Sequence, residues 1–279
     1  MKIVSVIPNE KKDGDLAVTK KLLSLLHSHQ ATVLLDRHLE PSLSALYPWV
    51  EFGSEEELFS RGECILALGG DGTILSLASR AAKWKKPICG INMGKVGFMA
   101  ALEQRELEKI GRLFTGEYEV SDRMLLSCFI NGKEAFSALN EIVIAPEKGF
   151  HIVELDLFAS RRKLCSFRAD GVIFNTPTGS TGYSFSAGGA VVEDTFDCIG
   201  VKAISSYLLR GAHHMIFSPE TVFCAKHIRT EGKVTVCADG REEITLGAED
   251  EVKICRSRNK VSLIQFSPRS NQEIFFRKF

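Results

Sequence analysis

Between Cys64 and Gly97 the pattern of apolar and polar positions changes character twice. Residues 64–68 form an unbroken apolar run, as expected of a strand covered on both faces. The five residues Gly69-Gly70-Asp71-Gly72-Thr73 have turn chemistry, and after them Ile74, Leu77, Ala78 and Ala81 recur at i, i+3, i+4 and i+7. That spacing predicts an amphipathic helix. The same reading predicts strands at 2–7, 31–36 and 87–91, and a helix over 15–27 with Leu16, Leu23 and Leu26 on one side. Residues 103–114 read as a further helix. Strands alternating with helices at these distances make parallel βαβ units.

From Glu117 onward the period shortens. Strand-like runs fall at 124–130, 141–145, 152–159, 163–168, 172–175, 221–225, 233–238, 242–246, 251–256 and 261–266. Turn signals separate them: Asn131-Gly132, Asp170-Gly171 and Asp239-Gly240. This is the look of an antiparallel β domain. The expected fold class is therefore α/β plus all-β, with an open parallel-sheet domain over 1–116 and an antiparallel β-sandwich over 117–261. The tail of about 262–279, with Ile274-Phe275-Phe276, is expected to return to the first domain.

Composition narrows the classes of function. Lys+Arg and Asp+Glu each total 35, so no net field draws the chain toward nucleic acid or an anionic membrane. The basic run Arg161-Arg162-Lys163 lies between two strand-like segments and reads as a solvated hairpin turn. Eight cysteines lie scattered, without a C-x-x-C pair or histidine clustering, which argues against a zinc site or a disulfide scaffold and fits a reducing cytoplasm. The N-terminal apolar stretch is too short for a signal h-region. The uncharged segment 172–192 is long enough to span a bilayer, but it is filled with Ser, Thr, Gly, Asn and Pro.

Candidate chemistry concentrates where strands end. A strand running into a glycine turn and a helix start suits an anion, because the first helical N–H groups lack internal partners and the dipole favours negative charge. Asp71 is a lone carboxylate in that turn. Asp is also a favoured N-cap, but three glycines crowded around one carboxylate at a strand end point to function. Neither G-x-x-x-x-G-K-[ST] nor a strand-linked G-x-G-x-x-G occurs, so the two commonest nucleotide motifs are missing. The stretch Gly90-Ile91-Asn92-Met93-Gly94-Lys95-Val96-Gly97-Phe98 is a second glycine-rich strand exit.

In the second half, the strand 172–175 leads into the hydroxyl-rich turn 176–181 and a short helix with Ser180 or Thr181 expected at its N-cap. Its small polar groups suit a ribose and an adenine, or simply a helix-capping loop. Asn140-Glu141 has the chemistry to chelate a sugar diol, the amide donating and the carboxylate accepting, though the pair is also an ordinary loop-to-strand junction. Arg168 and Asp170 share a strand face and read as a surface ion pair or as ligands. His151 reads as a surface or core-edge histidine, and His213-His214 carries no assignment.

Together these segments resemble the bacterial NAD kinase family over nearly the whole chain. The Gly-Gly-Asp-Gly-Thr turn is shared with lipid kinases and, loosely, with phosphofructokinases. Thr176-Pro-Thr-Gly-Ser-Thr-Gly-Tyr-Ser184, by contrast, is close to the family's T-P-T-G-S-T-A-Y-S. Asn140-Glu141 stands where the family has N-E or N-D, and residues 90–98 are similar to its G-I-N-x-G-x-L-G-F.

The resemblance implies transfer of the terminal phosphate of ATP to the 2′-hydroxyl of the adenosine ribose of NAD. Asp71 would be the proton acceptor, and Gly69, Gly70, Gly72 and Thr73 would receive phosphates. Asp71, Gly72, Asn140, Glu141, His151, Arg168, Asp170, Thr181, Gly182, Tyr183, Ser184, Phe185, Ser186 and Ala203 would contact NAD. It also implies a divalent metal, Mg²⁺ or Mn²⁺, with no direct protein ligand assigned, small-molecule nucleotides as the only other partners, and a cytoplasmic homotetramer or homodimer. Gly182 departs from the usual Ala, and Arg241 from a frequent Gln. The rival readings are a lipid or sugar kinase built on the same turn and a dinucleotide sensor without turnover; the polar 176–186 segment speaks against the first and the retained Asp71 against the second.

Overall fold

The computed structural model describes residues 1–94, 97–148, 151–207 and 214–267. The chain divides into two compact units, one built from Met1–Arg123 with the strand residues from Lys260 onward, the other from Met124–Asn259. The tail residues Ile274, Phe275 and Phe276 lie outside the described residues, as do Lys95, Val96 and His213.

In the first unit, β1 (Ile3–Pro8) leads through a short turn to α1 (Ala17–Ser28) and β2 (Thr32–Asp36). There follow α2 (Glu40–Leu43), β3 (Glu51–Gly53), α3 (Glu55–Arg61), β4 (Cys64–Gly69), α4 (Asp71–Trp84) and β5 (Ile88–Asn92). The short β6 (Leu102–Glu103) and α5 (Arg112–Thr115) complete it. The sheet runs β3-β2-β1-β4-β5, all parallel. Every residue of β4 is buried, as a central parallel strand requires.

Strand order reverses between β1 and β4, since β2 and β3 lie on one side and β5 on the other. At such a switch point the loops leaving the two strands diverge to opposite faces, and a crevice opens beyond their carboxyl ends. The Gly69–Thr73 turn is one wall of that crevice.

Helix α4 buries Thr73, Ile74, Leu77, Ala78, Ala81 and Ala82, the stripe its sequence predicts. It lies close to the sheet because Gly90 has no side chain: a Cβ there would stand 2.5 Å from Ile74 Cδ1 and 3.0 Å from Ala100 Cα.

The expected helix over 15–27 starts two residues late. Asp15 and Leu16 take left-handed φ values of 54°, Leu16 is the N-cap residue, and the first helical N–H groups are met from further back by Asp13, whose buried carboxylate accepts from Val18 N (2.9 Å), Thr19 N (2.8 Å) and Thr19 Oγ1 (2.5 Å). The expected α-helix over 103–114 is instead a 3₁₀ helix over Gln104–Gly111 followed by α5. Its buried Leu107, Ile110 and Leu113 are spaced by three, which is the 3₁₀ period rather than the α period.

The second unit opens with the remainder of β7 (Glu119–Ile130) and continues with β8 (Lys133–Ala138), β9 (Glu141–Pro146), β10 (Val153–Ala159), β11 (Arg162–Ala169) and β12 (Gly171–Asn175). A 3₁₀ turn over Thr178–Thr181 precedes α6 (Tyr183–Ser186). After it come β13 (Ile199–Ile204), β14 (Met215–Phe217), β15 (Phe223–Arg229), β16 (Val234–Ala238), β17 (Glu242–Leu246) and β18 (Val252–Gln265).

One sheet runs β14-β13-β12-β9-β16-β17, antiparallel throughout. In the other, β11, β10, β15 and the first part of β18 pair antiparallel, and β7 and β8 join beside β18. Both sheets bury side chains in one core, including Phe167 and Phe223 from one and Phe174 and Val236 from the other, as in a β-sandwich.

Asn131-Gly132 and Asp239-Gly240, expected as turns, form hairpins with positive φ at both turn residues. Asp170-Gly171 does not. It carries the chain from one sheet to the other, and the β10–β11 hairpin turn is Ser160-Arg161, with φ of 47° and 73°. The two strands expected at 251–256 and 261–266 are the single β18, whose polar middle (Arg258, Asn259, Lys260) stays extended and exposed. Beyond that middle, Ile264 and Phe266 are buried in the core of the first unit.

Candidate active site

In the first unit the site grows from the end of β4. Gly70 caps α4 with extended backbone, and Asp71 is the first helical residue. Gly69 admits no side chain, since a Cβ would fall 2.1 Å from Thr73 Oγ1. That hydroxyl accepts from Asn9 Nδ2 at 3.1 Å and from Gly70 N at 3.4 Å, so the turn is tied to the loop after β1. Asn9 also donates its own N–H to Leu68 O at 2.8 Å.

The Asp71 side chain does not cap its helix. Its Oδ2 accepts from Phe98 N (2.9 Å) and its Oδ1 from Met99 N (3.2 Å), so a partly buried carboxylate is clamped at the mouth of the crevice. Gly97 makes that approach possible, because a Cβ there would lie 2.3 Å from Asp71 Oδ1. Gly72 is exposed on the first turn of α4.

Two residues of the β1 loop belong to this site and escaped the sequence reading. One is Asn9. The other is Lys12, an exposed cation whose Nζ stands 2.9 Å from where a Cβ on Gly70 would be. The signal was available, as the loop lies one strand from β4 at the switch point, but strand order is needed to use it.

In the second unit the site grows from the start of β9. Asn140 O accepts from Thr176 N at 2.9 Å, and Thr176 Oγ1 donates to Leu139 O at 2.5 Å. Gly179 packs on the Asn140 carbonyl so closely that a Cβ would sit 2.0 Å from it. Gly182 faces the side chains of the pair: its Cβ would lie 3.0 Å from Glu141 Oε2 and 3.4 Å from Asn140 Nδ2. The hydroxyl-rich turn thus wraps Asn140-Glu141.

Three buried polar atoms there have no hydrogen-bond partner: Asn140 Oδ1, Glu141 Oε2 and Ser184 Oγ. Buried polar groups are normally satisfied, so three such atoms gathered at one place make it a candidate for ligand or water contacts. Burial, reinforced by the neighbouring Asp239 carboxylate and only partly offset by the Tyr183 N–H, pushes the Glu141 carboxyl up to about 7.

Neither Ser180 nor Thr181 is the helix cap expected of it. Ser180 Oγ is buried, donating to Pro177 O (2.7 Å) and accepting from Val192 N (2.9 Å), while Thr181 Oγ1 donates to Thr178 O (3.2 Å). The cap is Gly182. His214, left unassigned in sequence, latches this region. Its Nδ1 accepts from Ala190 N at 2.9 Å, which leaves Nε2 to donate to Asn175 Oδ1 at 3.0 Å.

The remaining candidates lie elsewhere in the unit. Arg168 pairs with Glu154 (3.0 Å) and stacks on Tyr207 (5.5 Å), not with Asp170, whose N–H donates to Ile204 O (2.9 Å). His151 and Arg168 line one cavity of about 360 Å³ with Glu154, Arg229, Thr230 and Glu231. Ala203 is buried in the sandwich core opposite Val172, whereas Glu141 is opposite Asn175. Asp170 with Ala203 and Asn140-Glu141 therefore occupy opposite ends of β12, separated by roughly 10 Å of strand. Tyr183, Phe185 and Ser186 lie on α6 beside Ser184, Tyr183 exposed and Ser184 buried.

A glycine-lined crevice holding a clamped carboxylate, in a chain that also carries buried polar atoms without partners beside Asn140-Glu141, has the chemistry of a nucleotide phosphotransferase. Residues 4–118 match the family model described as ATP-NAD kinase N-terminal domain, and residues 139–266 that described as ATP-NAD kinase C-terminal domain. The chain is 33% identical to an NAD kinase of Natranaerobius thermophilus, covering 100% of this chain and 98% of the relative. It is 32% identical to one of Clostridium botulinum (strain 657 / Type Ba4), covering 100% and 96%.

Among solved structures, an Archaeoglobus fulgidus NAD kinase in complex with ATP aligns at 26% identity and a TM-score of 0.73, covering 99% of this chain and 96% of that one. Yeast NADH kinase complexed with NADH shares the fold at 22% identity and a TM-score of 0.87, covering 99% and 86%. The chain belongs to the NAD kinase family. It is a kinase, and among the described residues no helix is long and apolar enough to cross a membrane.

Proposed function

We propose that the chain transfers the terminal phosphate of ATP to the 2′-hydroxyl of the adenosine ribose of NAD, releasing ADP and NADP. The observation that carries this reading is the clamped carboxylate of Asp71 at the start of α4. Phosphoryl transfer is chiefly positioning and charge stabilisation. The Gly69–Thr73 turn, with Gly69, Gly70, Gly72 and Thr73, lies at the donor phosphates, whose charge the dipole of the 14-residue α4 favours; the Gly70 and Thr73 N–H groups are themselves spent inside the turn, on Thr73 Oγ1 and Gly70 O. Asp71 orients the ribose hydroxyl and accepts its proton.

Asn140 and Glu141 hold the acceptor, with the 181–186 segment around the adenylate half. His151, Arg168, Asp170 and Ala203 form a second group toward the dinucleotide. A divalent ion, Mg²⁺ or Mn²⁺, supplies further charge neutralisation when bound. Among the described residues no three His, Cys, Asp or Glu side chains are grouped to cage one, and no residue is assigned to hold it. The chain works in the cytoplasm as a homotetramer or homodimer.

The test is purified protein with ATP, Mg²⁺ and NAD, scored for NADP by a coupled dehydrogenase. General-base help is worth about 10²–10⁴ in rate, roughly 3–5 kcal/mol. Asp71→Asn should lower kcat by that factor with little change in KM for NAD. Near-wild-type turnover by the variant would remove the base assignment.

A further inference from the structure

We propose that Asp239, at the β16–β17 turn, is a positioning residue that presents the Asn140-Glu141 pair to the acceptor sugar. The inference rests on the reading of that pair as the dinucleotide site. Asp239 lies about a hundred residues along the chain from the pair, yet its carboxylate gathers three consecutive backbone N–H groups. Oδ2 accepts from Leu139 N at 2.8 Å, and Oδ1 from Asn140 N at 2.7 Å and Glu141 N at 3.0 Å. The Asp239 N–H returns a bond to Glu141 O at 3.0 Å, which closes the loop.

Ordinarily an Asp in the Asp-Gly turn of a hairpin is there for its tolerance of positive φ and points to water. Asp239 does have φ of 50°, but its side chain is spent on the start of β9. The bonds fix the backbone of the very residues whose side-chain atoms, Asn140 Oδ1 and Glu141 Oε2, are buried without partners.

Holding a backbone does not explain why a second carboxylate is placed beside a buried one. Two like charges in one pocket make each other's ionisation harder. Asp239 is itself pushed up by burial, its three N–H donors and Arg241 opposing the rise. The groups facing Glu141 are the Asp239 carboxylate, from the hairpin that also carries Arg241, and the Tyr183 N–H, from α6. The wrapping turn 176–182 brings no charged side chain. Asp239 therefore fixes the backbone that carries the Glu141 carboxyl and adds to the burial that raises the pH at which it ionises.

The experiment compares wild type, Asp239→Asn, Asp239→Glu and Glu141→Gln. NAD and ATP affinities are measured by calorimetry from pH 5.5 to 8.5, and Glu141 titration is followed by ¹³C NMR of labelled protein without ligand. Wild type should bind NAD more tightly as Glu141 ionises. Asp239→Asn should weaken NAD binding about tenfold, leave ATP affinity unchanged, and move the Glu141 titration to lower pH by about one unit. Asp239→Glu keeps the charge but not the geometry, so it should weaken NAD binding and leave the titration near its wild-type position. Glu141→Gln should abolish the pH limb.

NAD affinity within twofold of wild type in Asp239→Asn, with the Glu141 titration unmoved, overturns the proposal. Equal loss of NAD and ATP binding in both Asp239 variants also overturns it, since the residue would then be supporting the fold. If wild type binds no NAD, the functional reading fails, and the NMR titration still decides whether Asp239 governs Glu141.

Discussion

Replacing Gly97 by alanine moves the Asp71 carboxylate without changing its chemistry. The new Cβ would stand 2.3 Å from Asp71 Oδ1, 2.9 Å from Cγ and 3.1 Å from Oδ2. Ordinary contact between a methyl carbon and an oxygen needs more than 3 Å, so the carboxylate must retreat by about 1 Å. The cost to the fold is then the two bonds from Phe98 N and Met99 N, partly made good by water, or about 1 kcal/mol. For a chain of this size that lowers Tm by about 2–4 °C.

The cost to the reaction is larger, because a misplacement of 1 Å is worth about 10² in rate. Steady-state kinetics should show kcat reduced about a hundredfold with KM for ATP and NAD little changed. Gly14→Ala, where a Cβ meets nothing within 4 Å, serves as the control. A Gly97→Ala enzyme with kcat within twofold of wild type would refute the claim that the clamped position of Asp71 is the working one.

Two further outcomes follow from the same geometry. Lys12→Ala should raise KM for ATP about tenfold and leave that for NAD unchanged, because its ammonium overhangs Gly70; an unchanged KM for ATP would place Lys12 outside the donor site. The Glu141 carboxyl is raised from 4.5 to about 7 in the fold, so the folded state holds a proton that the unfolded chain gives up. Stability from this group is complete below pH 4.5 and is lost as pH rises through 7, by up to about 3 kcal/mol. Denaturant melts between pH 4.5 and 8 should show this slope in wild type and not in Glu141→Gln; identical slopes would show that the carboxyl is not perturbed.

What could be read from sequence was local. The run 64–68, the glycine turn and the apolar stripe of α4 were legible because neighbours along the chain decide them, and so were the hairpins at Asn131-Gly132 and Asp239-Gly240. The 3₁₀ segment at Gln104–Gly111 was misread because three apolar positions spaced by three also fit a loose α-helical pattern. β18 was cut in two because its polar middle looked like a turn.

The candidate site was half legible. Asp71 and the Asn140-Glu141 pair stand in recognisable motifs, whereas Asn9, Lys12 and Asp239 reach them through contacts 58 to 100 residues away that only strand order and register bring about. Asp170-Gly171 reads in sequence only as a turn, because a dipeptide cannot say whether the next strand joins the same sheet. Ala203 is assigned through the family resemblance alone, because a small buried residue inside a strand carries no chemical signal of its own in the sequence.

The central claim is that the terminal phosphate of ATP goes to the 2′-hydroxyl of the adenosine ribose of NAD with Asp71 as the base. ATP labelled in its γ-phosphate, incubated with the enzyme, Mg²⁺ and NAD, tests it most directly when the dinucleotide product is isolated and the labelled position found by ³¹P NMR or nuclease digestion. The account predicts one label per NADP formed, all of it in the 2′-monophosphate, and its near-disappearance in Asp71→Asn. Label in any other position, or an equal yield from the variant, would contradict it.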